Sequence, residues 1–316
     1  MSVFKIHHIT KYHYEQPIVE SVNEIRIFPY QSADQEVLQH DLIITNHPNV
    51  HVFKDYWGNK VGFFNILEPH QDLIVESKLT VRTIVDLSSL EMSTTGFDIL
   101  NKEVEESFHL LELTKPDDIE SQEQIQKILE SFFNGGQSIK EVIEKSSQYI
   151  FENFTYTKGI TNIETTIDEI LVHKKGVCQD FAHLLLQILR TMHIPCRYVS
   201  GYICPNKNGM RGEGATHAWV DAWVPGIGWC GIDPTNNAWV NNHHVKLAVG
   251  RNFYDSSVVK GTYKGSSRQD LFVFVSVGYE DGHTFEETNQ VLLDKQEVNS
   301  VNDLKKTAMS IQQQQQ

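Results

Sequence analysis

The chain has 316 residues and a formal net charge of −14 at pH 7, set by 41 Asp and Glu against 27 Lys and Arg; 40% of its residues are hydrophobic and 22% charged. That length predicts two domains, the composition supports a substantial core and excludes a disordered chain, and an acidic surface that repels phosphate argues against nucleic acid as a partner. No apolar run reaches membrane-helix length, and Met1 to His8 lack the apolar stretch and cleavage site of a secretory leader, so a cytoplasmic protein without a membrane partner is expected.

Residues 1–90 read as an all-β domain, a sandwich or barrel. Phe4–Thr10, Val37–Ile44 and Leu73–Val81 show partial alternation and β-branched enrichment, with turn chemistry at Asn46-His47-Pro48-Asn49 and Trp57-Gly58-Asn59-Lys60. Residues 91–137 are polar and acidic and read as a linker carrying short helices, with Glu103, Glu105 and Glu106 on a solvated face. A second domain is expected over 138–290. It opens with a helix capped by Ser138, whose Ile139, Val142, Ile143 and Ile150 share one face. A shorter helix capped by Thr165 or Thr166 ends before Lys174-Lys175-Gly176, a basic last turn followed by glycine.

The most informative run follows, Gly176-Val177-Cys178-Gln179-Asp180-Phe181-Ala182-His183. Phe181, Leu184, Leu185, Ile188 and Leu189 give a helix too apolar for the surface, so it is expected to be central and buried, with the Cys178 sulfur exposed at its mouth. The rest reads as mainly β: Arg197–Ile203, a hairpin of His217–Val224 and Trp229–Ile232 around Pro225–Gly228, and a late strand Leu271–Tyr279. Residues 291–316 end in Gln312–Gln316 and are expected to be a disordered tail.

Cys178, His217 and Asp233, in that chain order, are the parts of a thiol nucleophile, a general base and an orienting carboxylate. A helix N-terminus favours thiolate; strand alternation puts His217, Trp219 and Asp221 on one face and Ala218 and Val220 on the other; hairpin pairing carries Asp233 toward His217. Each alone reads more simply, as a small residue, a core histidine and an Asp-Pro turn. The triad interpretation comes from their conjunction. Asp180 is expected to cap local backbone N–H groups or to pair with a base elsewhere. Cys196, Cys204 and Cys230 read as small buried hydrophobes; no C-x-x-C pair supports zinc, and four cysteines without a leader argue against a disulfide framework. His7-His8 and His243-His244 look like metal-site fragments, but adjacent strand residues point to opposite faces, so no metal and no cofactor is expected. Trp219, Trp223, Trp229 and Trp239 wall the cleft or pack the core.

These motifs resemble the transglutaminase-like superfamily, in its bacterial cysteine protease branch: G-V-C-Q-D-F-A-H at 176–183, R-Y-V-S-G-Y at 197–202, T-H-A-W-V at 216–220, G-I-D-P-T-N-N at 231–237 and the trailing run Val245–Phe253. Asp55-Tyr56-Trp57-Gly58-Asn59 and Pro69-His70 resemble the β-domain that precedes the core in that branch. The resemblance implies an α+β, papain-like transglutaminase core, its Cys-bearing helix packed on an antiparallel sheet and preceded by the all-β N-terminal domain. It also implies Cys178 as nucleophile, His217 as base and Asp233 as orienting carboxylate. The expected function is thiol acyl transfer on a peptide or protein substrate, hydrolytic as in a cysteine protease or amidase; the alternatives are a protein-glutamine transglutaminase or deamidase and a non-catalytic binding module on the same fold. Two positions depart from the pattern. Val172 stands six residues before Cys178, where papain-like enzymes carry an oxyanion-hole glutamine, and no Trp lies between Trp57 and Cys178 to take that role as in animal transglutaminases. Asn252 replaces the usual acidic residue of the trailing run.

Overall fold

The structure, a computed structural model, describes residues 2–159, 165–204, 210–212, 216–279 and 284–292. The chain opens on a long strand, β1 (Ser2–Ile25), followed by β2 (Gln35–Ile44), β3 (His51–Lys54), β4 (Lys60–Ile66) and β5 (His70–Thr83). β1 is bent. Its first half pairs antiparallel with β5, and the register shifts between His13 and Ile18, where Pro17 cannot donate to a ladder. Its second half, beyond Glu20 at φ 56°, turns away to pair with β4.

Four helices follow: α1 (Ser88–Glu91), at the end of the region read as all-β, and α2 (Phe97–Glu105), α3 (Phe108–Glu112) and α4 (Gln122–Phe132), in the segment read as a linker. They do more than connect. Leu100, Val104, Leu110, Ile125, Ile128 and Leu129 are buried in the same cluster as the central helix. Glu103, read as a solvated residue, accepts from Trp223 Nε1 at 2.6 Å and from the Gly226 N–H at 3.1 Å, tying α2 to the later hairpin. Short amphipathic helices with acidic outer faces average out to a polar composition, which hides the thin apolar stripe that packs them.

α5 (Ile139–Asn153) begins with the Ser138–Glu141 capping box, and after β6 (Thr155–Tyr156) α6 (Ile167–His173) begins with the Thr166–Glu169 one. The left-handed residue that ends α6 is Lys174, at φ 50°, and not Gly176. Gly176 lies in β7 (Lys175–Gly176) and is required by space: a Cβ there would stand 2.7 Å from Asp180 Oδ2. α7 (Cys178–Thr191) is the expected central helix, and 12 of its 14 residues are buried. Each fully buried Leu or Ile on it contributes roughly 1.5–3 kcal/mol of apolar transfer free energy.

β8 (Cys196–Ile203), β9 (Thr216–Val224), β10 (Gly228–Asp233), β11 (Ala238–Trp239) and β12 (His244–Gly250) form a five-stranded antiparallel sheet in the order β11-β10-β9-β8-β12. Ala218, Val220, Ala222 and Val224 of β9 pack in the α7 cluster, while Trp219 packs on the other face with Val199 and Val249. After α8 (Phe253–Ser256) come β13 (Val259–Lys264), β14 (Gln269–Tyr279) and β15 (Thr284–Leu292). The late strand read with the second region instead returns to the N-terminal sheet: β14 pairs with β1 from Phe4↔Tyr279 to Tyr14↔Gln269, and β13 pairs with its second half. Single-strand patterning cannot say which sheet a strand joins, because register and partner are non-local. Of the expected tail, 291–316, Val291 and Leu292 instead end β15, paired with Leu271 and Asp270 of β14, and the rest lies outside the described residues.

The two sheets are joined by buried hydrogen bonds. Asn59, fully buried, donates to the Val249 carbonyl at 2.7 Å and accepts from the Val249 N–H at 2.8 Å. Gln35 bonds the Lys246 backbone in the same two-way manner, at 2.8 and 2.9 Å. Removing Asn59 strands a buried donor and a buried acceptor, so Asn59→Ala is expected to cost about 2–4 kcal/mol. Urea unfolding of both proteins measures this, and a loss under about 1 kcal/mol would show that the contact is solvated or replaceable.

Candidate active site

The site forms where the N-terminus of α7 meets the start of β9. Val177 caps the helix, and its N–H donates to Asp180 Oδ2 at 2.8 Å, the capping role expected of Asp180. Cys178 is the first helical residue, in the positive field of the helix end. It is only 1% exposed, which corrects the expectation of an exposed sulfur. The pairing of β6 with β7 sets Tyr156 opposite Gly176, and the Tyr156 ring packs on Phe181, crowding the helix mouth.

His217 is held at the start of β9 and is fully buried. Its strand neighbour in the register is Gly201 of β8, where a Cβ would collide with the Val245 carbonyl at 2.2 Å and the Trp219 ring at 2.5 Å. The ring's Nε2 lies 2.9 Å from Asp233 Oδ2. Its Nδ1 bonds no nitrogen or oxygen among the described residues, and Cys178 stands close enough to act on the ring through charge and a hydrogen bond. Burial alone would lower the imidazole pKa. The Asp233 carboxylate and the Cys178 sulfur outweigh it and push the pKa up to about 10.

Asp233 ends β10 and is fully buried. Its Oδ1 accepts from the Thr235 N–H at 2.9 Å, the local turn an Asp before Pro commonly makes. Its Oδ2 accepts from Asn236 Nδ2 at 2.7 Å as well as facing His217. Burial opposes its charge, but the His217 charge and the hydrogen bonds from His217 and His244 hold the carboxyl well below the usual carboxylate range. The three residues singled out in the sequence are therefore brought together, around one buried imidazole.

Two polar neighbours of Asp233 were missed in the sequence. Asn236 stands three residues after Asp233, and the D-P-T-N run is a signal that was present but read only as a motif. His244, read as half of a metal-site fragment, is buried with Nε2 3.5 Å from Asp233 Oδ2, while its Nδ1 faces the Asn241 N–H at 3.4 Å. Burial lowers its pKa, so it is the neutral partner beside a cationic His217. No local spacing announces His244, because the β8–β12 pairing places it. Trp219 packs beside both histidine rings, at centroid distances of 6.3 Å to His217 and 5.3 Å to His244. Trp223 and Trp229 pack on each other, and Trp239 donates to Glu144 at 2.8 Å. Asp221 is fully buried between Arg197 and Lys246, at 3.0 and 2.6 Å.

The other cysteines differ in kind. Cys196 and Cys204 are buried and Cys230 is half-buried, all in thiol form. Burial pushes the thiol pKa up to about 11 for Cys196, well above its usual value for Cys204, and, with help from Asp221 and Asp34, up to about 12 for Cys230. Val172 is 70% exposed on α6, away from any oxyanion role. Asn252 caps α8, accepting from the Tyr254 N–H at 3.0 Å.

Residues 126–234 match the transglutaminase-like superfamily, and residues 4–82 match the bacterial transglutaminase-like N-terminal region. An uncharacterized protein of Mycobacterium leprae is 31% identical over 280 residues, covering 86% of this chain and 97% of that one. A protein-glutamine gamma-glutamyltransferase of Pseudomonas aeruginosa is 33% identical over 91 residues, 27% of this chain and 14% of that protein. A crystal structure from Cytophaga hutchinsonii, provisionally described as a cysteine protease, superposes with a TM-score of 0.66 at 21% identity, covering 93% of this chain and 92% of that one.

Proposed function

Because this chain belongs to the transglutaminase-like superfamily, with the bacterial N-terminal region ahead of its core, we propose that it is a thiol acyl-transfer enzyme acting on peptide or carboxamide bonds through Cys178, His217 and Asp233. The observation that carries this reading is the buried His217 ring set between Asp233 Oδ2, at 2.9 Å, and Cys178. Cys178, as thiolate, attacks the carbonyl carbon. The positive end of α7 stabilises the developing oxyanion. His217, as imidazolium, gives its proton to the leaving amine, and a thioester remains on the sulfur. Water then adds with His217 taking its proton, the carbon–sulfur bond breaks, and the carboxylic acid leaves. Asp233 keeps the imidazole oriented and stabilises its cation throughout. Water is the default acceptor, since an amine competes only where a site concentrates it.

A second reading, transamidation or deamidation of glutamine, is favoured by the identity to the gamma-glutamyltransferase. One experiment separates the two. The protein is incubated with a peptide library, and new N-termini and free ammonia are measured together. New N-termini support the hydrolase. Ammonia without cleavage overturns hydrolysis of the chain in favour of the second reading, and neither product overturns the enzyme reading.

The raised pKa of His217 sets the alkaline limit. A group whose pKa is raised keeps its proton at pH values below the raised value, so the imidazolium needed as acid is present across neutral pH and is lost as pH rises through about 10. kcat/KM is expected to hold from pH 7 to 9 and to fall near 10. A descending limb near the ordinary imidazole value of about 6.5 would mean that Asp233 does not act on the ring.

A further inference from the structure

The sequence has seven arginines, and six of them, Arg26, Arg82, Arg190, Arg197, Arg251 and Arg268, stand within 4.0 Å of a carboxylate. Arg211 is the seventh, and among the described residues it has no such partner, in a chain with 41 acidic side chains. Among the described residues of so acidic a protein, its guanidinium is held away from every carboxylate.

Its surroundings hold it beside the reaction centre. The Arg211 N–H donates to Asn236 Oδ1 at 2.7 Å, and Asn236 Nδ2 donates back to the Arg211 carbonyl at 3.2 Å. The same Nδ2 lies 2.7 Å from Asp233 Oδ2, so one amide fastens the Arg211 backbone and the orienting carboxylate together. Gly212, the next residue, lies against the imidazole: at φ 80° it takes a conformation that favours glycine, and a Cβ there would stand 3.0 Å from His217 Nδ1. The Arg211 guanidinium lies over the Phe151 ring of α5, 4.3 Å from its centroid, and Nη1 reaches the Thr235 carbonyl at 3.5 Å. Stacking fixes the plane of the guanidinium without using up its forked donors, the preorganisation that suits two-point recognition of a carboxylate.

We infer that Arg211 is a specificity-determining residue that anchors a carboxylate of the substrate beside Cys178, so that acidic peptides are the preferred acyl donors. This rests on the acyl-transfer reading above. The carboxylate has two sources in a peptide, an acidic side chain or the chain's own C-terminus, and Arg211 would recognise either by the same fork.

Three alkylating probes differ in one group each: N-chloroacetyl-glutamine amide, which is neutral, N-chloroacetyl-glutamate amide, with a side-chain carboxylate, and N-chloroacetyl-glutamine, with an α-carboxylate. The Cys178 sulfur displaces chloride from each, forming a thioether, and the rate is followed by mass spectrometry on the full chain. In the unmodified protein at least one anionic probe is expected to react about ten-fold faster than the neutral one, the scale of one charge-assisted hydrogen bond. Which anionic probe gains identifies the source of the carboxylate. In Arg211→Gln the ratio is expected to fall to about one, and in Arg211→Lys to be partly kept, because a point charge replaces the fork. The ratio is read within each variant, so a folding defect that slows all three probes cancels. Equal rates for anionic and neutral probes in the unmodified protein, or an anionic preference that survives in Arg211→Gln, would overturn the inference and leave the acyl-transfer reading standing. If Cys178 reacts with none of the probes, and with iodoacetamide no faster than a free thiol, both fall together.

Discussion

Cys178→Ala is expected to abolish turnover, with kcat lowered on the order of 10⁴-fold or more, because the covalent step has no substitute. Environment excludes the other cysteines as much as position singles out Cys178. Cys196, Cys204 and Cys230 are held as thiols at neutral pH by burial, which raises each pKa. Cys178 is the cysteine with an imidazolium and a helix N-terminus beside it. At pH 7 iodoacetamide is therefore expected to add one equivalent, at Cys178, with loss of activity in step with labelling. Peptide mapping of the alkylated protein checks the position, and the Cys178→Ala variant should take up almost no label. Retention of more than a tenth of the activity in that variant would assign the chemistry elsewhere.

Asp233→Ala should be the second large effect, and it separates stability from catalysis by its dependence on pH. In the unmodified protein the folded pKa of His217 is about 10, above the ordinary value near 6.5. The protonated ring therefore adds stability that is fully present below pH 6.5 and is lost as pH rises through 10. Asp233 is depressed, so its contribution is present above the ordinary carboxylate value and is lost as pH falls below it. Removing the carboxylate leaves burial as the main influence on His217, and burial favours the neutral ring. The sign then reverses: the variant should lose stability as pH falls from 8 to 5.5, where the unmodified protein does not. Breaking a buried pair of this kind costs about 3–5 kcal/mol. Urea unfolding at pH 5.5 and pH 8 tests it. A variant whose deficit is the same at both pH values would show that the pair is not ionised in the folded protein. In activity the same substitution is expected to lower kcat by on the order of 10³–10⁴-fold, since an unheld imidazole loses both its orientation and its cationic form.

The parts of this protein that were legible in sequence are those whose signals are local. The caps at Ser138 and at Thr165 or Thr166 are written within four residues, and the structure uses Ser138 and Thr166. The apolar run after Cys178 has the breadth of a buried helix, and α7 is one. Alternation on β9 put Ala218 and Val220 on one face and Trp219 on the other, and each is found where the period of two places it. The segment with α1 to α4 was less legible because four short helices, each with a narrow apolar face, look polar in sum. Exposure of the Cys178 sulfur was not legible because a helix end says nothing about what folds over it; the structure leaves Cys178 only 1% exposed.

By itself, the sequence determined the identity and order of the Cys178, His217 and Asp233 side chains and the elements that carry them. Helical and strand periods are set by nearest neighbours, so the helix mouth, the strand start and the hairpin end could be read from short windows. What only the tertiary structure decided is everything that depends on contact between distant segments. It returned β13 and β14 to the N-terminal sheet, set His244 beside Asp233 across β12, and let Asn236 join Asp233 to the backbone of Arg211. It also left Arg211 without a carboxylate among the described residues. No window of sequence contains that fact, because pairing between charges is fixed by distance in space, and among the described residues the fold brings a carboxylate to each of the other arginines but none to this one.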